Sequence, residues 1–324
     1  MATIVKTVLL VAIFGSLLAT APPPLAQAQV RVSIGAGPAP PIIALCNTLA
    51  ELLSSNVPGV LAISVRTGGG PDNMEQVAAK RIEIGTVFTH TAWFAFHGRP
   101  PFATPKPTLR TLTPLWESPY QLVTIEGTGI ATVQDLRGKR IGVGPAGSLD
   151  ERLYVPILKA VGIDERNARI ERMDYDDMPV ALRERKLDAF FVFAFLGVPE
   201  PDVLSLANSP GTRIRLVPLD VAMPVLQKEF GSLYIKNTIR RESYPGLTAD
   251  VATVGSAFLL VAHQDLDPNL AYAVTKLIYE KRRDLAQAQK AAQHTTLIGV
   301  AGRSSIPFHP GAIRYFRERG VEGF

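Results

Sequence analysis

Strand-like and helix-like segments alternate along most of this chain, and this alternation constrains the fold more than any other feature of the sequence. Short apolar runs rich in β-branched residues, such as residues 30–35, 61–65 and 82–85, are each followed by a segment with the apolar spacing of a helix. A βαβα order of this kind predicts an α/β fold with a mainly parallel sheet.

Two long extended segments interrupt the alternation and separate two similar units. A proline-rich turn at residues 100–107 precedes the first of them, residues 109–125, and the second covers residues 252–262. Only helical segments, at residues 268–294 and 311–319, follow the second long strand. We therefore predict two lobes joined by a two-strand hinge, with the C-terminal helices packing on the first lobe.

The N-terminal sequence predicts export. Lys6 precedes an apolar run at residues 7–20 that is too short to span a bilayer comfortably, and Ala26 and Ala28 form an A-x-A-like cleavage site. We expect cleavage after Ala28 and a periplasmic location, with an uncleaved anchor helix as the alternative. The predicted domains are a signal peptide at 1–28, the first part of lobe 1 at 29–116, lobe 2 at 117–251, and the return strand and C-terminal helices of lobe 1 at 252–324.

The sequence lacks the residues that several classes of function require. The charges are dispersed and the formal net charge is only +5, so nucleic-acid binding is not expected. The sequence has no G-x-S-x-G, H-E-x-x-H or P-loop motif, and its five histidines lack metal-ligand spacing. We therefore expect no catalytic residue, metal or cofactor. The single cysteine, Cys46, lies in an apolar helical pattern typical of a buried structural thiol.

One segment matches the dinucleotide-binding pattern G-x-G-x-x-G through Gly142, Gly144 and Gly147. A single match is weak, and a nucleotide site also needs an acidic residue near the end of the next strand. Asp174 comes late for that role, so we expect no dinucleotide cofactor.

Three glycine-containing turns between a strand and a helix form the candidate ligand site. In open α/β sheets, ligands bind beyond the carboxyl ends of the strands, where backbone N–H groups and helix starts attract anions. Asp72 with Glu75, and Ser148 with Glu151, have the spacing of capping boxes at two of these turns. The predicted ligand-binding residues are Gly35, Gly37, Arg66, Thr67, Gly68, Gly69, Gly70, Asn73, Thr89, His90, Gly147, Ser148 and Phe195.

Three of these residues are included for their side chains. Arg66 ends the second strand and suits bidentate carboxylate binding, although a solvent-facing position fits the strand alternation equally well. Phe195 comes just after a buried strand, where its ring either covers a ligand or joins the core. His90 follows Thr89 at a junction between a strand and a helix.

Longer motifs resemble a known family. Residues 34–37, 67–73 and 135–144 occur in order, and Tyr244-Pro245-Gly246 and residues 306–316 are more distinctive. Over nearly the whole mature chain this pattern resembles the TAXI-type solute-binding proteins of TRAP transporters, which have the type II periplasmic-binding fold. The resemblance implies a receptor that captures a small carboxylate, such as glutamate or 2-oxoglutarate, and delivers it to TRAP-type permease subunits. A monomer is the usual state of such receptors.

The chain departs from that family pattern at two places. Residues 38–43 replace a loop that usually carries more glycine and an aromatic pair, and residues 88–90 replace a segment that usually carries Gln-Ser. These changes leave the identity of the acid open. The alternatives are a binding protein of the same fold for an ABC importer or a sensor kinase, a scaffold that has lost its ligand, and a secreted enzyme.

Overall fold

The structure is a computed structural model that describes residues 29–324, so the predicted signal peptide lies outside the described residues. The strands are β1 Val30–Gly35, β2 Val60–Val65, β3 Ile84–Phe88, β4 Leu109–Ile125, β5 Arg140–Gly142, β6 Arg169–Glu171, β7 Ala189–Phe193, β8 Ile214–Val217, β9 Ile235–Ile239 and β10 Val251–His263. The helices are α1 Pro40–Asn56, α2 Gly70–Ala78, α3 Thr89–His97, α4 Leu149–Ala160, α5 Asp177–Arg183, α6 Pro201–Ala207, α7 Met223–Phe230, α8 Pro268–Glu280, α9 Arg282–Ala288 and α10 Pro310–Glu318.

The strands form two parallel groups, one in each half of the fold. β1 pairs in parallel with β2 and β3, and β5 pairs in parallel with β6 and β7. We name the part around β1 to β3 lobe 1 and the part around β5 to β7 lobe 2. The predicted two-lobed α/β fold is confirmed.

The strands β4 and β10 connect the lobes. They pair antiparallel with each other; β10 also pairs with β3 of lobe 1, and the last part of β4 pairs with β7 and β8 of lobe 2. Where they pass between the lobes, Gly255 lies against the carbonyl of Ser118, and a β-carbon would not fit there. These strands are the predicted hinge. Because β4 runs without a break through residues 116 and 117, the domain boundary placed there stays a prediction.

Each lobe has its own apolar core. In lobe 1, Ile34 of β1 and Leu45 and Leu49 of α1 pack with Val274 and Ile278 of α8, so the C-terminal helices lie on lobe 1 as predicted. In lobe 2, the core lies between α4 and the strands β5 and β7. Among residues 29–324, no helix is both long enough and apolar enough to cross a membrane.

The structure differs from the sequence prediction in some elements. The single helix expected at residues 268–294 is α8 and α9 followed by a short 3₁₀ helix, because Lys281 leaves the helical conformation and α9 turns to pack Leu285 into the lobe 1 core. The helices α6 and α7 and the strand β9 were not predicted. β9 pairs along the start of β10, a long-range contact that a local pattern does not reveal.

Candidate functional site

A cavity of about 360 Å³ lies where the carboxyl ends of the lobe 1 strands meet the hinge and the start of α4. Lobe 1, the hinge and lobe 2 all contribute to its wall. Its lining residues include Gly37, Gly69, Gly70, Phe88 and His90 from lobe 1, Tyr120, Ser256 and Phe258 from the hinge, and Asp150, Tyr175 and Phe193 from lobe 2. The cavity is therefore the cleft between the lobes.

Three polar side chains of this wall are buried without a hydrogen-bond partner. His90 is 6% exposed, Tyr120 is 1% exposed and Ser256 is fully buried. None of the His90 Nδ1, the Tyr120 hydroxyl and the Ser256 hydroxyl has a partner with good hydrogen-bond geometry within the described part of the chain, although Ser256 lies close enough to Tyr120 to lower its pKa. Buried polar groups are almost always hydrogen-bonded, so these three atoms point to a bound molecule as their partner.

The three groups are electrically neutral at physiological pH. Burial lowers the pKa of His90 to about 3, so its imidazole is uncharged. Burial raises the pKa of Tyr120, so its phenol keeps its proton. The ring of Phe88 stacks on His90 with centroids 5.4 Å apart, which fixes the position of the imidazole. Each group is able to donate or to accept a hydrogen bond without carrying charge.

Asp150 brings a carboxylate to the cleft. It lies in the first turn of α4, and its Oδ2 accepts a hydrogen bond of 2.6 Å from the Tyr175 hydroxyl. Burial raises the pKa of Asp150, while the bond from Tyr175 opposes that rise. Gly144 makes room for this arrangement, because a β-carbon there would press on the Tyr175 ring.

A second cavity of about 500 Å³ adjoins the first, and Asp150, Tyr175 and Phe193 line both. Its wall also includes the aromatic rings of Tyr154 and Phe195. The further acidic residues on this wall are Glu200 and Asp202. Neither of these two cavities has a lysine or an arginine among its lining residues within 29–324, so they offer no positive side chain to a carboxylate ligand.

The first two glycine turns are held together by side chains predicted to contact the ligand. The Thr67 hydroxyl accepts the Gly37 N–H at 2.9 Å and donates to the Asn73 Oδ1 at 2.7 Å. The Asn73 amide donates to the carbonyls of Gly35 at 3.1 Å and Thr86 at 2.8 Å. Thr67 and Asn73 therefore fix the strand ends, and they do not line the cavities.

Two other turn glycines were predicted to donate their N–H groups to an anionic ligand. In the structure, these N–H groups donate to carboxylate side chains of the protein itself. The Gly68 N–H donates to Asp72 at 2.9 Å, and the Gly147 N–H donates to Glu151 at 2.6 Å. Ser148 caps α4 by accepting from the Glu151 N–H at 3.0 Å, which is one half of the predicted capping box; the Glu151 carboxylate accepts from Gly147 instead of Ser148. Asp72 does not cap α2, because that helix begins earlier, at residue 70.

The structure brings five of the thirteen predicted residues to the cavities. Gly37, Gly69, Gly70 and His90 line the first, and Phe195 lines the second. Thr89 is buried and bonds through its hydroxyl to the backbone of Ala257 in β10, so it joins lobe 1 to the hinge. The predicted residues that line neither cavity are Gly35, Arg66, Thr67, Gly68, Asn73, Thr89, Gly147 and Ser148. Arg66 is exposed to solvent.

The sequence analysis missed Asp150, Tyr175, Tyr120 and Ser256. Tyr120 and Ser256 carry polar groups inside long, otherwise buried strands, and that signal is visible in the sequence. Asp150 follows the predicted turn at Ser148 by only two residues. Tyr175 lies in the loop between β6 and α5, so only the fold brings it beside α4.

Comparison with known proteins identifies a family model and a fold. The model described as the NMT1-like family matches residues 43–320. The chain is similar to a putative sulfonate ABC transporter, periplasmic sulfonate-binding protein SsuA, from Methylobacillus flagellatus KT, with 14% identity, a TM-score of 0.56, and 92% of this chain and 97% of that chain covered. It is also similar to XAC2383 from Xanthomonas citri bound to chloride ion, with 12% identity, a TM-score of 0.52, and 90% and 97% covered.

These similarities confirm the predicted type II periplasmic-binding fold. They do not confirm the TAXI-type subfamily, the TRAP-type permease or the carboxylate ligand. The sulfonate-binding protein is described as part of an ABC transporter.

Proposed function

Because the chain belongs to the NMT1-like family, we propose that it is an extracytoplasmic solute-binding protein, which captures a small molecule between its lobes and delivers it to a membrane importer. The observation that carries this proposal is the cleft. Both lobes and the hinge line one cavity, and His90, Tyr120 and Ser256 present buried, unpartnered polar atoms there. The proposed role is capture without chemistry, and residues 1–28 act as the signal peptide.

A cleft shared by two lobes couples binding to closure. A ligand that contacts Gly70 and His90 on one side and Tyr175 on the other is held best when the lobes are close together. Such a ligand shifts the population toward the closed arrangement by its difference in affinity for the two states. The importer then distinguishes a loaded receptor from an empty one by its shape.

We propose an ABC-type importer as the partner, because the fold is shared with a binding protein described as part of an ABC transporter. A TRAP-type permease is the second candidate, on the strength of the motifs around Tyr244 and His309. In the structure both residues are buried: the Tyr244 hydroxyl donates to Gln121 at 2.9 Å, and His309 caps α10. These two motif residues serve internal packing, so they do not specify the class of permease.

Thermal unfolding of residues 29–324 tests the receptor proposal. After removal of co-purified ligand by unfolding and refolding, the protein is screened against amines, amino acids, organic acids, sulfonates and sugars. A true ligand at 100 times its Kd should stabilise the fold by about 2.7 kcal/mol. Small-angle scattering should show compaction with the same compound. If no compound raises the Tm or compacts the protein, the receptor proposal is wrong.

The importer class is tested separately, with radiolabelled ligand in cells that express the receptor and its permease. Uptake that stops on depletion of ATP while the ion gradient is maintained supports the ABC importer. Uptake that survives this treatment and stops when the gradient is collapsed supports the TRAP-type permease instead.

A further inference from the structure

We propose that the ligand of the cleft is a small organic cation: a protonated amine on an apolar or aromatic body, whose charge pairs with the carboxylate of Asp150. This inference rests on the proposed function, because it takes the cleft between the lobes as the binding site. It replaces the carboxylate ligand that the sequence resemblance implied.

The charges of the cleft favour a cation. Of its three acidic residues, Asp202 is exposed, and Glu200 caps α6 by accepting the Val203 N–H at 2.8 Å. Asp150 has a hydrogen bond from Tyr175 but forms no ion pair within residues 29–324. A partly buried carboxylate without a counter-ion destabilises the folded protein, and a cationic ligand that pairs with the carboxylate removes this destabilisation.

The same groups disfavour an anion. The start of α4 attracts negative charge, but Asp150 and Glu151 already occupy its first turn. Glu151 accepts the Gly147 N–H, and Asp72 accepts the Gly68 N–H, so neither N–H is free for a ligand carboxylate. A second carboxylate near Asp150 would add like-charge repulsion in a partly buried site.

The aromatic rings fit the rest of such a molecule. Phe88 lies at the centre of a cluster, with ring centroids 5.2 Å from Phe193 and 5.0 Å from Phe258. All three rings line the first cavity, and Phe193 continues into the second beside Asp150. Cations are attracted to aromatic faces, so these rings both pack an apolar body and tolerate a positive charge.

The unpartnered groups complete the site for an ammonium. An ammonium carries three N–H donors, and burial of its charge requires that each donor finds an acceptor. Asp150 supplies the charged acceptor. The neutral imidazole of His90 and the hydroxyls of Tyr120 and Ser256 provide uncharged acceptors in the same cavity.

Matched probes test this inference. Binding of phenethylamine, 2-phenylethanol and phenylacetate is measured by calorimetry at pH 7, with choline as a second cation and 2-oxoglutarate as a second anion. The three phenyl probes differ in charge while keeping a similar body. We expect phenethylamine to bind at least about tenfold more tightly than its neutral and anionic counterparts, the ratio typical of one charge-assisted contact.

Asp150→Asn keeps the shape of the side chain and removes its charge. It should weaken phenethylamine binding by about tenfold or more, while Asp177→Asn, the same change at an exposed position in α5, should leave binding unchanged. For each variant without ligand, an unchanged Tm shows that the fold is intact. A higher Tm for Asp150→Asn also shows that this variant is folded.

The outcomes separate this inference from the proposed function. If phenylacetate or 2-oxoglutarate binds and compacts the protein while the cations do not, the cation inference is wrong and the receptor proposal stands. If Asp150→Asn binds phenethylamine as tightly as the parent, the cation does not pair with Asp150 and the inference also fails. If no probe of any charge binds and none of the wider panel does, both proposals fail.

Discussion

The two walls of the cleft use their polar groups in different ways. Behind the lobe 1 wall, Thr67 and Asn73 bond to the turns around Gly35 and Gly37, and the groups left for a ligand are neutral. On the lobe 2 wall, Asp150 presents a carboxylate that only Tyr175 contacts by a side-chain hydrogen bond within the described residues. Most polar side chains at the lobe 1 strand ends are hydrogen-bonded within the protein, whereas lobe 2 presents a carboxylate without a counter-ion.

The largest expected effect is on the lobe 1 scaffold. Asn73→Ala should lower the free energy of unfolding by about 3 kcal/mol, because it removes two buried hydrogen bonds, to the carbonyls of Gly35 and Thr86. Urea denaturation measures this. Asn56→Ala is the control, since Asn56 is exposed and bonds only to the Leu52 carbonyl, and it should change stability by about 0.5 kcal/mol or less. Equal losses in the two variants would contradict the scaffold role of Asn73.

The hinge that joins the two walls should be nearly as sensitive. Gly255→Ala places a β-carbon against the Ser118 carbonyl and should destabilise the protein by about 1–3 kcal/mol through overpacking. Gly302→Ala is the matched control, because nothing lies close to the position of its β-carbon. Thermal unfolding distinguishes them, and a tolerated Gly255→Ala would show that β4 and β10 separate more easily than their packing indicates.

The lobe 2 wall should respond in the opposite direction. Burial raises the pKa of Asp150 above 3.8, so its charged form destabilises the folded state at neutral pH; this penalty shrinks as the pH falls through the raised pKa and is absent below 3.8. Asp150→Asn should therefore raise the Tm at pH 7, with a gain that shrinks toward acid pH. The titratable groups beside Asp150 are Tyr175, Tyr154 and Tyr120, which keep their protons throughout this range.

Asp164 provides the control of opposite sign. Its carboxylate bonds to Arg166, which lowers its pKa, so its stabilising effect is present above pH 3.8 and is lost as the pH falls through the lowered pKa. Asp164→Asn should lower the Tm slightly at pH 7. If Asp150→Asn lowers the Tm as Asp164→Asn does, the charge of Asp150 does not destabilise the folded state.

The smallest expected effect concerns the hydroxyl that positions Asp150. Tyr175 is 39% exposed, so Tyr175→Phe should change stability by about 1 kcal/mol or less. It should nevertheless raise the pKa of Asp150, because the lost hydrogen bond favours the ionised form. Carboxyl titration by NMR measures this pKa. Tyr272→Phe, which removes a similar bond to Glu318, should leave the pKa of Asp150 unchanged.

The candidate site could be predicted in part. Gly37, Gly70 and His90 were found from their position at strand ends, since parallel strands bring such turns to one edge of a sheet. Asp150 was missed although it lies two residues after a predicted contact, Ser148. The sequence shows that an N–H and a carboxylate are near each other, but it does not show whether they bond to one another or to a ligand.

The sequence by itself determined the two-lobed α/β architecture, because the alternation of apolar periods and the two long strands are local properties of the chain. Tertiary structure decided the use of each polar group. The Gly68 and Gly147 N–H groups are paired with Asp72 and Glu151, while the carboxylate of Asp150 faces the cleft. Hydrogen-bond pairing and burial depend on side chains that approach from distant parts of the chain. The sequence alone therefore could not show that the cleft presents a negative charge.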